Sequence, residues 1–243
     1  MSARLLKILG SKYPIMLGPM RFITLGEMAG LVSKHGGFGQ IAASGLEPAQ
    51  LRKEIAKARS ITQLPIGVNF PVYRPKTEAL IDVAIDQGIH TITTSAGHPG
   101  KFIQKIKSSG MHVLHKISTV EMGKKAEDEG VDGIIATGIE AGGHVGRNGT
   151  TTLCLIPQLT KCLDLPIIAA GGIGSRRQYL AAQELGAEGV EMGTRFLASV
   201  ECPISDFYKQ MVLEAKDDDQ PLIDRQIESR GAKSSPPRPP STG

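Results

Sequence analysis

Four times along the chain an amphipathic stretch runs into a glycine, a polar residue follows two places later, and a short apolar run begins. The phrases are Gly88-Ile-His-Thr-Ile, Gly110-Met-His-Val-Leu, Gly130-Val-Asp-Gly-Ile and Gly186-Ala-Glu-Gly-Val. Glycine tolerates the left-handed backbone that ends a helix, so each phrase stops a helix and starts a strand. The first three recur at about twenty residues, which marks a repeated strand and helix unit. Such units join parallel strands through right-handed helical crossovers, leaving two architectures: a closed barrel or an open, doubly wound sheet.

Eight strand candidates can be read between Tyr13 and Ala215: Ile15 to Leu17, Phe38 to Ala42, Ile66 to Phe70, Thr91 to Ser95, Val113 to Ile117, Gly133 to Thr137, Ile167 to Ala170 and Val190 to Met192. None alternates strictly between apolar and polar residues, as expected of strands covered on both faces. Eight units favour closure, so the expected fold is α/β, a (β/α)8 TIM barrel. The chain's 243 residues suit one such barrel, which takes about 250.

Between the strands, Ser118 with Glu121 and Ser175 with Gln178 fit the capping box of a helix start. In the helix after the second strand, Leu51, Ile55 and Ala58 share one face, while Arg52, Lys53 and Lys57 can face water. Met1 to Gly10 carries Leu5, Leu6, Ile8 and Leu9, too short an apolar run for a signal or a span, and reads as an amphipathic helix. Beyond Glu214 a charge run and a Pro/Ser-rich, basic stretch offer little apolar surface to offset ordering entropy. The expected organisation is a barrel over 1–215 and a disordered tail over 216–243.

A net charge of +4, with both signs interspersed, gives no footprint for nucleic acid or a membrane, so the expected partner is a small molecule. Cys154, Cys162 and Cys202 have no CxxC spacing and no secretory segment before them. They are expected to be reduced, buried thiols in a cytoplasmic protein. A homodimer is left open.

In a parallel barrel the chemistry sits where the strands end, at their C-terminal face. There the seventh strand runs into Gly171-Gly172-Ile173-Gly174 and the eighth into Gly193-Thr194. Loops after strands seven and eight are the usual phosphate grip of this fold, and Ser175 opens a helix whose free N–H groups favour an anion. The Gly-rich loop alone could be an ordinary turn; the two segments together point to a phosphate-bearing ligand.

After the sixth strand, Glu140-Ala-Gly-Gly-His-Val-Gly146 is too rich in glycine for a helix or strand, so it is a loop able to fold closely over a flat ligand. His144 at its centre is the leading candidate for a catalytic base, since imidazole takes a proton near neutral pH; the alternative is a solvated loop histidine. His90 and His112 fall at the opposite face, His35 closes a helix, and His98 and His115 lack such a loop. No histidine pair has metal-ligand spacing, and no catalytic metal is expected. Lys116, ending the fifth strand, could offset negative charge at the mouth or simply extend into solvent. Asn69 on the third strand suits a ligand that both donates and accepts, or a turn cap.

Pro14-Ile-Met-Leu-Gly-Pro-Met20, Gly67-Val-Asn-Phe70, Glu140-Ala-Gly-Gly-His144, Pro166-Ile-Ile-Ala-Ala-Gly-Gly-Ile173 and Met192-Gly-Thr-Arg-Phe196 resemble the motifs of the nitronate monooxygenases, once called 2-nitropropane dioxygenases. The resemblance runs from about Pro14 to Tyr208 and is shared with a sister group, the FMN-dependent enoyl-ACP reductases. It implies an FMN held by Gly18, Pro19 and Met20, by Asn69 and Lys116, by Ala141, Gly142 and Gly143, and by Gly171, Gly172 and Ile173 with Gly193 and Thr194. His144 then matches the histidine that acts as base or orients the substrate. The implied flavoprotein oxidises alkyl nitronates with O2 to a carbonyl compound and nitrite.

Two departures accompany the resemblance. Gly18 stands where the family usually has alanine, and family members usually continue well past the eighth helix. The alternatives are therefore an FMN- and NADH-dependent enoyl-ACP reductase, or a flavin-binding barrel inactivated by C-terminal truncation.

Overall fold

The computed structural model of the chain describes residues 3–143, 146 and 148–216. Helix α1 (Ala3–Leu9) precedes the first strand, and strands and helices then alternate: β1 (Ile15–Leu17), α2 (Gly26–Lys34), β2 (Gln40–Ala42), α3 (Pro48–Ile61), β3 (Gly67–Pro71), α4 (Thr77–Asp86), β4 (Thr91–Ser95) and α5 (Gly100–Ser108). The second half repeats the pattern with β5 (His112–Ile117), α6 (Val120–Asp128), β6 (Gly133–Thr137), α7 (Thr152–Leu159), β7 (Ile167–Ala170), α8 (Arg176–Glu184) and β8 (Gly189–Met192). Two further helices follow, α9 (Thr194–Leu197) and α10 (Asp206–Glu214).

All eight strands are parallel, and each pairs with its sequence neighbour from β2 round to β8 and on to β1. The ring closes between β1 and β2 through a single bridge, Met16 to Phe38, with Phe38 N–H donating to the Ile15 carbonyl at 2.8 Å and Leu17 N–H to the Phe38 carbonyl at 3.0 Å. The regular part of β2 begins only at Gln40, two residues later than its apolar run suggests. The fold is a (β/α)8 barrel.

Side chains alternate across each strand, and the two sets pack into different cores. The outward set, including Ile41, Val68, Ile92, Val113, Ile134, Ile167 and Val190, packs with the apolar faces of the helices, among them Leu51, Ile55 and Ala58 of α3. The inward set, Met16, Phe38, Leu114, Ile135, Ile168 and Ala170, meets Leu5, Ile8 and Leu9 of α1. The N-terminal helix is therefore a plug for the bottom of the barrel. Space there is shared between large and absent side chains: a Cβ on Gly67 would come within 2.2 Å of Phe38 Cζ, and one on Gly189 within 2.7 Å of Leu5 Cδ2.

The four helix-stopping glycines all have positive φ, from 58° at Gly88 to 99° at Gly186. The caps differ in detail from the sequence expectation. Thr119, not Ser118, caps α6 and accepts from Met122 N–H at 3.1 Å; the Ser118 hydroxyl instead meets Met122 Sδ. Ser175 does cap α8, but Gln178 reaches the N–H of Gly174 rather than that of Ser175. The capping box that does form, Glu47 with Gln50 on α3, has a carboxylate in place of the usual hydroxyl. Cys202 is buried as expected, whereas Cys154 and Cys162 are exposed, because both lie on the outward side of the α7 region. Among the described residues no helix is long and apolar enough to cross a membrane. The tail expectation for 217–243 lies outside the described residues.

Candidate active site

Two residues beyond the apolar inner layer, toward the C-terminal ends of the strands, the barrel interior becomes polar. Gln40, Asn69, Thr93, Thr137 and Glu191 are all buried there, with Lys116 half-buried beside them. All but Thr137 form a connected belt. Asn69 Nδ2 donates to Thr93 Oγ1 at 2.9 Å, and Thr93 donates to Gln40 Oε1 at 2.6 Å. Gln40 Nε2 in turn reaches the Leu17 carbonyl at 2.8 Å and Glu191 Oε2 at 3.3 Å. The other carboxylate oxygen of Glu191 accepts from the Lys116 ammonium, closing the belt from β3 to β5 by way of β8.

Asn69 is thus neither a turn cap nor a surface group, and Lys116 does not extend into solvent. Gln40, Thr93 and Glu191 were not singled out in the sequence. Glu191 left one trace there: a carboxylate at the centre of an apolar strand, between Val190 and Met192. Thr137 Oγ1, in the same layer, is buried without a hydrogen-bond partner. A buried hydroxyl left unpaired costs on the order of 1–3 kcal/mol, so this layer has capacity to bind a polar ligand group.

Above the belt the loops converge. Gly171 and Gly172 both have positive φ, 107° and 68°, and a Cβ on Gly171 would stand 2.9 Å from Ala141 N, so the loops after β6 and β7 touch. The N–H groups of Gly172 and Ile173 have no hydrogen-bond acceptor among the described residues. Arg195 Nε donates to the Gly174 carbonyl at 2.6 Å, which joins the loop after β7 to the start of α9 after β8. Open space lies around Gly142, Gly143 and Gly174, where a Cβ would meet nothing within 4 Å, and at Gly193, where it would meet only Met20 Sδ at 3.7 Å.

The loop after β1 offers a different surface. Gly18 N–H donates to the Met192 carbonyl at 2.7 Å, Met20 N–H donates to Thr24 Oγ1 at 2.8 Å, and Pro19 has no N–H. The Met20 carbonyl already accepts from the N–H groups of Ile23 at 3.0 Å and Thr24 at 2.9 Å, so this segment can give a ligand the Gly18 and Pro19 carbonyls and contact area, while its amides hold β1 to β8 and shape the turn into α2.

The loop after β6 is anchored at both ends. Ile139 N–H donates to the Thr150 carbonyl at 2.9 Å, and Glu140 accepts from Thr152 N–H at 2.9 Å and Oγ1 at 3.1 Å, placing a carboxylate at the start of α7. Gly146 lies against Ser118, where a Cβ would come within 2.0 Å of Oγ, which puts Gly146 at the end of β5, two residues from Lys116. His144 itself lies outside the described residues; its neighbours Gly143 and Gly146 lie at the mouth.

Of the other histidines, His90 and His112 stack edge-to-face, 5.2 Å apart, at the N-terminal end. His115 points away from the belt, nearly inaccessible, sharing a 2.8 Å hydrogen bond with Thr94 Oγ1. Burial pushes its pKa down to about 4, helped by the charge of His98 and opposed by backbone hydrogen bonds at Gly97 and Thr94.

The chain as a whole has relatives among known proteins. The nitronate monooxygenase family model matches residues 2–84 and 75–234. The chain belongs to the nitronate monooxygenase family. A probable nitronate monooxygenase of Staphylococcus saprophyticus is 32% identical, the match covering 90% of this chain and 74% of that one. Among solved structures, FabK from Thermotoga maritima superposes with a TM-score of 0.87 at 36% identity, over 90% of this chain and 70% of that one. Nitroalkane oxidase from Streptomyces ansochromogenes gives 0.79 at 26% identity, over 86% and 72%. The homologues make this barrel a flavin-dependent oxidoreductase of that family.

Proposed function

We propose that the protein binds FMN at the C-terminal mouth of the barrel and oxidises alkyl nitronates with O2 to carbonyl compounds and nitrite. Family membership supports the reaction class, and the observation that carries the cofactor reading is the open, glycine-lined cradle between the loops after β7 and β8. The unassigned N–H groups of Gly172 and Ile173, with Gly193, Thr194 and the start of α8, suit a phosphomonoester. Asn69, Lys116, Ala141, Gly142 and Gly143, with the carbonyls of Gly18 and Pro19 and the contact surface of Met20, suit the flavin ring. The buried, unpaired hydroxyl of Thr137 fits the same occupant.

When bound, FMN supplies the one-electron chemistry that nitronate and O2 require. The chain's own part is positioning and proton handling. His144 would hold the nitronate oxygens, or form the nitronate by taking the α-proton of a neutral nitroalkane. Ile139 and Glu140 anchor the start of the segment that carries His144 in the sequence.

The test is nitronate-dependent oxygen uptake with nitrite release by flavin-loaded protein, abolished in a His144→Ala variant that still holds FMN. Full activity in that variant would remove His144 from the reaction. A second reading is favoured by the likeness to FabK, which belongs to the sister group of FMN-dependent enoyl-ACP reductases. It expects NADH consumption driven by crotonyl thioester. Flavin-loaded protein that turns over neither substrate would leave a flavin-binding barrel without either activity.

A further inference from the structure

Lys116 and Glu191 are a charge pair inside the barrel, not a surface bridge. The side chains are 21% and 5% exposed, on strands that are not neighbours, and Gln40 braces the carboxylate from a third strand. Withdrawing two charges from water costs roughly what their attraction returns, so such a pair is weak evidence for stability. What it does fix is where a cation stands and how much of its charge a neighbour feels. Coulomb energies are several-fold larger in this partly dry interior than in water, so a ligand above the belt responds to the sum of both charges.

We infer that Glu191 is the counter-ion that positions Lys116 and cancels much of its charge, so that the pair, and not the lysine alone, sets how readily a flavin at this site accepts negative charge. Three observations carry this. The ammonium and carboxylate are in direct contact. The carboxylate's second oxygen is held by Gln40, whose own carbonyl is held by Thr93, so the pair cannot swing apart without breaking the belt. And the pair lies at the strand ends, directly below loops that leave open space. An unpaired lysine there would favour a reduced, anionic flavin strongly; a paired one favours it weakly.

The inference rests on the FMN reading, and the experiment separates the two. Flavin-loaded, full-length protein is compared with Glu191→Gln, Lys116→Met and the double variant, each saturated with FMN. Two quantities are read: the reduction potential of the bound flavin, and its affinity for sulfite, which adds to the ring and leaves a negative charge on it. Glu191→Gln is expected to tighten sulfite about tenfold and raise the two-electron potential by the equivalent, about 30 mV. Lys116→Met is expected to shift both in the opposite direction, and the double variant to return to within about twofold of the unmodified protein. A purely structural role would alter FMN affinity or melting but would not give opposite signs that cancel.

Unchanged potentials in both single variants, or shifts of the same sign, would overturn the inference while leaving the flavin site intact. If Glu191→Gln does not fold, the double variant must bind sulfite about tenfold more tightly than Lys116→Met, and equal affinities overturn the inference. Unmodified protein that takes up no FMN would overturn the cofactor reading and this inference together.

Discussion

Arg195 Nε donates to the Gly174 carbonyl at 2.6 Å, and this is the bond that makes one cradle out of two loops separated by the whole of α8. The Gly174 N–H in turn donates to Gln178 Oε1 at 2.9 Å, so both backbone groups of Gly174 are engaged. Removing it should let the loops after β7 and β8 drift apart without touching the core, since the bond is exposed. Arg195→Ala is expected to weaken FMN binding about fivefold, near 1 kcal/mol, a value lowered from that of a buried charged hydrogen bond because solvent competes. A flavin-fluorescence titration measures it. Unchanged affinity would mean that something other than this bond holds the two loops together.

Two glycines in that cradle make opposite predictions. Gly171 has φ of 107° and faces Ala141 N at 2.9 Å from an added Cβ, so Gly171→Ala combines backbone strain with a clash. It should destabilise the protein by about 1–3 kcal/mol, lowering the melting temperature by roughly 2–10 °C with or without FMN. Gly193 is the N-cap of α9 with φ of −111°, where a Cβ meets only Met20 Sδ at an ordinary 3.7 Å. Gly193→Ala should leave the flavin-free melting temperature within about 2 °C and weaken FMN about tenfold, because its methyl fills ligand space. If both variants lost stability and affinity together, the space at Gly193 would not be a ligand site.

The strands were legible because parallel strands buried on both faces are short apolar runs, and four of these runs follow glycines at positive-φ positions that other residues rarely occupy. The seam was less so: Phe38 contributes to closure by a single bridge, and its apolar character does not distinguish that from an ordinary strand residue. At the site, glycines at 171, 172 and 193 announced a cradle. The belt beneath them did not announce itself, because a four-residue strand is too short for alternation to show that Glu191 faces inward. Its partner Lys116 is 75 residues away, and nothing local in the sequence pairs them. Thr119 took the cap expected of Ser118 for a similar reason: adjacent hydroxyls offer the same bond, and only the path of the chain out of β5 decides between them.

His115 predicts a pH dependence of stability. Its pKa is near 4 in the folded protein and near 6.5 when unfolded, so between those values the unfolded chain binds more protons. Stability therefore falls as the pH drops from 6.5 toward 4, and is fully present above 6.5. The full span is worth about 3 kcal/mol, of which somewhat more than half should be lost by pH 5. His115→Gln, which can still hydrogen-bond Thr94, should be less stable at pH 7 than the unmodified protein but show a flatter profile between pH 7 and 5. Urea midpoints at the two pH values decide it, and parallel profiles would show that other groups carry the acid sensitivity.

The plug helix makes the last prediction. Leu5 and Leu9 of α1 are fully buried in one cluster with Met16, Phe38, Leu114, Ile135 and Ile168, side chains that face the barrel axis. Leu9→Ala would remove three carbons from a layer in which Phe38, Leu114 and Leu5 already fill the space over Gly67, Gly133 and Gly189. The cost should fall in the range of about 2–5 kcal/mol seen for deeply buried leucines. The polar belt lies one layer further along the same strands, so the FMN affinity of the folded fraction should change by less than about twofold. Denaturant unfolding and a flavin titration on one preparation separate the two effects. A variant as stable as the unmodified protein would mean that α1 covers the barrel end without being packed into it.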